Sequence, residues 1–365
     1  MKIAIDHQKF TEQKYGGITR YFACLALAIS KLNQDVKIFA PLHINKYLLH
    51  LPKNIVSGTN IGLYNQTFIK ILGPMNNFLS QLQVKKYNPD IIHESYYSEY
   101  PTIKSICPRV ITVHDMIHEK FPNEFSNDDT INLKKKSIER ADHIIAISNN
   151  TKKDLMEFYN ISESKITTIY HGPTSNLNAE GLSAKKNLNY IKPYLLYVGN
   201  RSGYKNFKLL ISAIGLSNQI KKKVNLIAFG GKPFNNDEIE SFNKAGLKQN
   251  QVIHITGDDN TLSNLYQNAE AFIFPSLYEG FGMPPLEAMS NNCPVISSNT
   301  SSMPEVIGDA GEYFNPTSAE DLISAIKNVL FSKRREELVS LGLHRVGKFS
   351  WEKCAEETIS VYEKL

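Results

Sequence analysis

Short strand-like runs with an apolar centre, separated by segments with helical spacing, recur along this chain of 365 residues. In the first half they are "KIAID" (2–6), "DVKIFAP" (35–41), "DIIHES" (90–95), "RVITVHD" (109–115) and "DHIIAIS" (142–148), with helix-like segments such as 128–140 and 149–158 between them. In the second half they are "PYLLYVGN" (193–200), "VNLIAFGG" (224–231), "VIHITG" (252–257), "AFIFPS" (271–276) and "PVISSN" (294–299). Helices there are expected to start near Tyr204, Asn236, Asn260 and Pro284. Strands without polar alternation are buried on both faces, which points to parallel sheets covered by crossover helices. The fold class is therefore α/β, with two doubly wound parallel-sheet domains. "PTSNLNAEGLSAKKNLNYIK", from about 173 to 192, is polar and aperiodic and reads as the linker between them. The domains are placed at 1–175 and 176–350. The tail is helical, with Ser318 and Ser350 as N-caps, the second before a helix that begins at Trp351.

Composition narrows the class. Apolar residues make up 42% and charged residues 21%, as in globular rather than disordered or fibrous chains. No run of eighteen apolar residues exists to span a bilayer, and "MKIAIDH" lacks the apolar core of a signal peptide, so a cytoplasmic location is expected. Cys24, Cys107, Cys293 and Cys354 are scattered, which suggests reduced thiols rather than a disulfide or metal framework. The net charge of +5 agrees with a polyanionic substrate or an anionic membrane surface. Nucleic acid is not among the expected partners.

In doubly wound sheets ligands bind beyond the carboxyl ends of the strands, so the polar residues after each strand are the candidates. After 271–276 the chain turns through Gly280 and Gly282 into a helix marked by Pro284-Pro285, with Glu279 in the loop and Glu287 expected in the first helical turn. Free N–H groups and the positive dipole end between these carboxylates suit an anion such as a phosphate. The plain alternative is a crossover in which Glu287 only offsets the dipole, worth about 0.3–1 kcal/mol. Arg201 and Lys205, in "NRSGYKNF", stand after another strand. They are either a solvated basic face or two cations for a diphosphate. A charge pair about 4 Å apart is worth about 4 kcal/mol at an effective dielectric of about 20, before desolvation.

Gly16-Gly17 opens a helix after the first strand, where backbone N–H groups could approach a phosphate or sugar, or where the chain simply turns tightly. "HDMIHEKFP" places His114, Asp115 and His118 after 109–115. Its H-D-x-x-H pattern differs from the zinc-protease H-E-x-x-H in its acid and has no evident third ligand, so His114 is either a strand-end histidine or a site residue. No Asp-x-Asp pair occurs in the chain, which leaves side-chain cations and a helix N-terminus to do the work of a divalent metal.

Taken in order, "YGGITRY", "VITVHD", "IIAISNNTKKDL", "YVGNRSGYKNF", "ITGDDNTLSNLYQNAEAFIFPSLYEGFGMPPLEAM" and "FSWEKCAEETISVYEKL" resemble the retaining glycosyltransferases of family 4. The resemblance covers both domains and is most specific over 255–289. It implies the GT-B fold, two Rossmann-like domains facing each other, with the acceptor side in 1–175, the sugar-nucleotide side in 176–350, and the 351–365 helix packed back on the first domain. It implies that Arg201 and Lys205 hold the diphosphate and that Glu287 takes the ribose hydroxyls. Glu279 would contact the transferred sugar, with the backbone N–H groups of Phe281, Gly282 and Met283 lining the same pocket. Gly16 and Gly17 would approach the diphosphate from the first domain, and His114 would face the sugar and acceptor.

Catalysis would be retaining and metal-independent, with no cofactor beyond the nucleotide-sugar donor. The motifs look like those of bacterial mannosyltransferases of surface polysaccharide, so GDP-mannose is the first donor expected and a UDP-sugar the second. Base choice would rest on loops near Gly231-Lys232 and Thr256. A glycan or lipid-linked acceptor is expected. The basic stretches at 84–88 and 133–140 fit either peripheral association with the inner membrane face or a solvated surface. Rival functions are a sugar-nucleotide epimerase, a phosphorylase-like enzyme, for which no lysine is placed to hold pyridoxal, and a non-catalytic nucleotide-binding subunit.

Overall fold

A computed structural model describes residues 1–62, 66–104, 106–173, 193–248 and 250–365, and for 66–71 the backbone only. The chain forms two compact units, Met1–Asn178 with Phe349–Leu365, and Ala179–Lys348. The linker expected at about 173–192 lies, from 174 on, outside the described residues.

The first unit holds strands β1 (Lys2–Ile5), β2 (Asp35–His43), β3 (Val56–Asn60), β4 (Ile91–Glu94), β5 (Arg109–Val113), β6 (His143–Ala146) and β7 (Ile166–Thr168). They form one parallel sheet in the order β3-β2-β1-β4-β5-β6-β7. The second unit holds β8 (Tyr194–Val198), β9 (Asn225–Phe229), β10 (Val252–Ile255), β11 (Ala271–Phe274), β12 (Val295–Ser298) and β13 (Gly311–Phe314). These are also parallel, in the order β10-β9-β8-β11-β12-β13. Counted from its own first strand, each sheet runs 3-2-1-4-5-6, the doubly wound order, with a seventh strand added at the end of the first sheet, and each reverses between its first and fourth strands.

The central strands β4, β5, β11 and β12 are buried along their whole length, polar His93, Glu94, Arg109, Ser297 and Ser298 included, so they show no alternation of apolar and polar positions. Sequence reading did not find β3 (VSGTN), β7 (ITT) and β13 (GEYF). All three are edge strands, covered on fewer sides, so they tolerate polar residues. In β3, Gly58 is required by close approach, because a Cβ there would lie 1.7 Å from the Ala40 carbonyl oxygen, beside the register shift in β2. Several helices also went unread, the longest of them Gln66–Tyr87, with Pro74 inside it, and Arg334–Val346.

The two ends of the chain meet in the first unit. The helix Gly17–Lys31 buries Tyr21, Phe22, Leu25 and Ile29, and the helix Trp351–Tyr362 packs against it. Ser318 and Ser350 accept from the N–H groups of Asp321 and Lys353, the N-cap geometry their positions predict. The Trp351 indole donates to the Pro173 carbonyl at 2.8 Å and stacks on His171. Gly172 admits this packing, since a Cβ there would come within 2.7 Å of the Trp351 backbone nitrogen. Deeper in, the Tyr362 hydroxyl lies 2.6 Å from Nδ1 of His93, whose Nε2 meets Thr112 Oγ1 at 2.8 Å.

Candidate functional site

The second unit's sheet reverses between β8 and β11, and the loops leaving those two strands build a charged pair. After β8 the chain makes a tight turn, Gly203–Lys205, ended by Asn206 in the left-handed region at φ 57°. Asn206 Nδ2 donates to the carbonyls of Pro275 (3.1 Å) and Pro316 (2.9 Å), and the Leu277 N–H donates to Tyr204 O at 2.7 Å. Those bonds tie the turn to the chain leaving β11. Lys205 Nζ then lies 2.7 Å from Glu279 Oε1, which also accepts from Ser276 Oγ at 2.6 Å. The Lys205 and Glu279 side chains are 21% and 11% exposed, so both charges are partly desolvated yet reachable.

The Glu279 backbone is pinned as firmly as its carboxylate. Its N–H donates to Ser301 Oγ at 2.9 Å, and its carbonyl accepts from Ser302 Oγ at 2.9 Å. Ser302, fully buried, shares the same hydroxyl with the Phe281 carbonyl at 2.8 Å. Gly282 follows at φ +119°, a conformation that side chains with a Cβ rarely adopt, and Met283 starts the helix Met283–Ser290. Phe281 is buried, and the first turn of this helix carries no acid.

Glu287 departs from expectation. The helix begins at Met283, one residue before the Pro-Pro pair, so Glu287 falls in the second turn and is buried, 9% exposed. The dipole acts mainly on the first turn, so offsetting it is a weak account of this residue.

Arg201 is held elsewhere. Its Nε donates to Glu238 Oε1 (2.6 Å), Nη1 to Gly230 O (3.2 Å), and Nη2 to Lys232 O (2.5 Å) and Glu238 Oε2 (3.4 Å). Four of a guanidinium's five N–H groups are thereby used within the unit. Glu238 closes a capping box with Asn235 at the start of the helix Asn236–Lys244. Burial opposes its ionisation, but the bonds from Arg201 and the Asn235 N–H outweigh that and leave its carboxyl below the usual range. Arg201, Gly231, Lys232 and Glu238 line a cavity of about 630 Å³ with Asn200 and Lys208.

In the first unit, His114 follows β5 and packs edge-on against Tyr21 at 5.1 Å. Burial lowers its pKa to about 4; Asp115 opposes the shift and Lys134 adds to it. His114 Nε2 is buried with no hydrogen-bond partner among the described residues. Lys134, fully buried, holds the next loop by donating to Asp115 O (2.9 Å) and Glu119 Oε2 (2.8 Å). His118 turns to Asp128 (3.4 Å) and the Phe125 ring. Among the described residues no three His, Cys, Asp or Glu side chains are grouped as metal ligands would be. Gly16 is the N-cap of the helix Gly17–Lys31, and a Cβ there would meet Gln13 Oε1 at 2.0 Å, whereas Gly17 has open space.

Within the second unit, then, Lys205 and Glu279 come together, with Phe281, Gly282 and Met283 in the same turn, while Arg201 is bound to Glu238. Gly16, Gly17 and His114 belong to the first unit. Sequence reading overlooked Asn206, Ser276, Glu238, Ser301 and Ser302. The serines had a signal, because Ser301-Ser302 follows β12 at a carboxyl end, the same place that singled out Glu279.

Residues 178–340 match the family described as glycosyl transferases group 1, and residues 15–173 match Glycosyltransferase Family 4. The chain is 30% identical to an Escherichia coli O-antigen chain mannosyltransferase B over 70% of both chains.

This chain belongs to the family 4 glycosyltransferases.

Another relative is the serotype-specific mannosyltransferase WbdA of Escherichia coli, 29% identical over 76% of this chain but only 37% of its own length. Among solved structures, Anabaena HepE in complex with UDP and glucose superposes with a TM-score of 0.73 over the whole of both chains at 17% identity. The two parallel-sheet units are the Rossmann-like domains of a GT-B glycosyltransferase.

Proposed function

We propose that this glycosyltransferase moves a hexose, mannose from GDP-mannose in the first instance, to a glycan or lipid-linked acceptor in surface polysaccharide synthesis, with retention and without a metal. The observation that carries the proposal is the Lys205–Glu279 pair, 2.7 Å apart where the second sheet reverses, beside a helix N-terminus led by Gly282. The choice of mannose is supported by the names of the two relatives above, an O-antigen chain mannosyltransferase and a serotype-specific mannosyltransferase.

The roles follow from charge and hydrogen-bonding capacity. Lys205, paired with Glu279 and partly exposed, bonds the donor's β-phosphate. Glu279, held by Ser276 and Ser302, accepts from a hydroxyl of the transferred sugar, and the N–H groups of Phe281, Gly282 and Met283 line that pocket. Glu287 takes the ribose hydroxyls. Arg201 adds its remaining N–H to the diphosphate, and the cavity at Gly231 and Lys232 receives the base. Gly16 and Gly17 contribute backbone N–H groups, and His114, a neutral imidazole, a hydrogen bond to sugar or acceptor. The bond between the anomeric carbon and the β-phosphate oxygen breaks, and its electron pair leaves with the nucleoside diphosphate. The acceptor oxygen bonds the same face, and its proton passes to the departing phosphate oxygen. Side-chain cations at the leaving group stabilise the charge as it develops. The enzyme works on the cytoplasmic side, at the membrane when its acceptor is lipid-linked.

A release assay over GDP-, UDP- and ADP-sugars, with and without EDTA, tests this. GDP-mannose is expected to be turned over best and EDTA to have no effect. A preference for a UDP-sugar overturns the donor, and loss of activity in EDTA overturns metal independence. Binding without release from any donor favours a non-catalytic subunit.

A further inference from the structure

The helix Gln66–Tyr87 presents two apolar faces. One is internal. Leu72, Asn76, Ser80, Val84 and Tyr87 are buried at the spacing of a single helical face. Asn76 anchors it by accepting from the Leu42 N–H (2.9 Å) and donating to Leu42 O (2.8 Å) and Thr11 Oγ1 (3.0 Å). On another face stand Met75, Phe78 and Leu82, at i, i+3 and i+7, and 40%, 65% and 56% exposed. At 3.6 residues per turn these three fall within an arc of about 60°, and Lys85 and Lys86 lie about 20° beyond its two edges. The helix has 22 residues and no Asp or Glu, and its charged residues are Lys70, Lys85 and Lys86. Beside it run residues 100–104, tied on by Gln81 Nε2 to Thr102 O (3.3 Å) and by Ile103 packed with Val84 and Tyr87. They include exposed Tyr100 and Lys104, and Ile106 beyond them is exposed as well.

The combination of side chains selects the occupant. A solvated face does not repeat large apolar residues at helical spacing. The charges that flank this face are all lysines, with no Asp or Glu on the helix, so it complements an anionic surface. A lipid surface uses both: apolar side chains enter the boundary between headgroups and acyl chains, while lysines at the edges reach the phosphates. We propose that Met75, Phe78 and Leu82, flanked by Lys85 and Lys86, form a docking face for an anionic phospholipid bilayer, with the helix lying in the headgroup plane. No helix among the described residues is long and apolar enough to cross a membrane, so the contact is peripheral. The proposal gives the membrane location suggested above a definite surface, and its measurement is independent of donor and acceptor.

Co-sedimentation of the full chain with phosphatidylglycerol–phosphatidylethanolamine vesicles, against phosphatidylcholine alone, tests it. Binding is expected to the anionic vesicles and to weaken with added salt. Phe78→Ser with Leu82→Ser should lower the partition coefficient at least about tenfold. Lys85→Ala and Lys86→Ala should each lower it about fivefold. Sugar release in solution should be unchanged in every variant, which shows that they fold. Absence of binding by the wild type, equal binding to phosphatidylcholine, or undiminished binding by the Phe78/Leu82 variant overturns the proposal. So does a wild-type dimer that this double variant converts to monomer without vesicle binding, which assigns the face to a second copy of the chain. Binding without release would leave the docking face standing and sink the transfer reaction, and release without binding would do the reverse.

Discussion

The two sheets share one strand order and reverse at corresponding places, yet the two crevices are filled differently. Beyond β1 and β4 the chain supplies its own occupant. The fully buried Asp6 accepts from the Ser95 N–H (3.0 Å) and hydroxyl, from Thr102 Oγ1 (2.7 Å) and from Gln8 Nε2 (2.7 Å). Beyond β8 and β11 the corresponding place carries Lys205 and Glu279, both partly exposed. Topology therefore provides a position for a ligand, and the first few loop residues decide whether the chain occupies it. A carboxylate that spends all its acceptors internally is architecture. One that is partly exposed beside an ammonium can still be shared with a ligand.

The strongest way to break this contrast is at Asp6. Asp6→Ala leaves four converging donors without their acceptor, and a loss of about 3 kcal/mol in urea unfolding is expected. Donor binding at the second unit's pair should survive in whatever remains folded. A variant as stable as wild type would show that the first crevice is not held by its carboxylate. At the second crevice, Lys205→Ala and Glu279→Ala should each lower the transfer rate about a hundredfold, about 2.7 kcal/mol, with little change in melting temperature. Near-normal turnover by either purified variant removes the pair from catalysis.

The first unit also contains histidines held neutral, whereas the second unit's site depends on charge. Burial lowers His93 and His171 to about 3, and His114 to about 4, with His114 adding to the shift at the other two. These folded values lie below the unfolded value of about 6.5. The unfolded chain therefore binds more protons between the two, and the contribution, complete above about pH 6.5, is lost as pH falls toward 4 and then 3. Each histidine adds a slope of up to about 1.4 kcal/mol per pH unit in that window. Denaturation measured from pH 7 to pH 4 should show it, and His93→Gln should flatten it; an unchanged slope would mean that His93 is protonated in the fold.

The smallest expected effect is at Ser302→Ala, about 1 kcal/mol of stability from its hydrogen bonds to the Glu279 and Phe281 carbonyls. Because Glu279 would be displaced rather than removed, kcat should fall several-fold with the donor KM nearly constant. A change confined to KM would place Ser302 in donor binding instead.

Much of this frame was legible in the sequence wherever an element is buried on both faces. The apolar-centred runs at β4, β5, β8, β9, β11 and β12 mark the sheets, and the rule of carboxyl ends led to Lys205 and Glu279. Edge strands escaped because half-covered positions tolerate Ser, Thr and Asn, as in β3 and β7. The helix Gln66–Tyr87 was obscured by Gly73-Pro74 and by an outer face as apolar as its inner one. Arg201 and Lys205 looked like one cationic pair because they are four residues apart. Their partners, Glu238 in the first turn of the helix Asn236–Lys244 and Glu279 in the loop after β11, come from distant parts of the chain, and local spacing carries no record of that. Glu287 was misjudged by one turn, since the helix starts at Met283 ahead of the prolines.

The packing of Trp351–Tyr362 on Gly17–Lys31 sets an order of assembly during synthesis. The wall around Tyr21, His93 and His171 includes Trp351 and Tyr362, which leave the ribosome after every strand of both sheets has been made. The second unit, Ala179–Lys348, is contiguous and can close as it emerges. The first unit is begun before the second and completed after it, and until Trp351–Tyr362 has emerged it exposes the apolar flank of the helix Gly17–Lys31 to chaperones and to neighbouring chains.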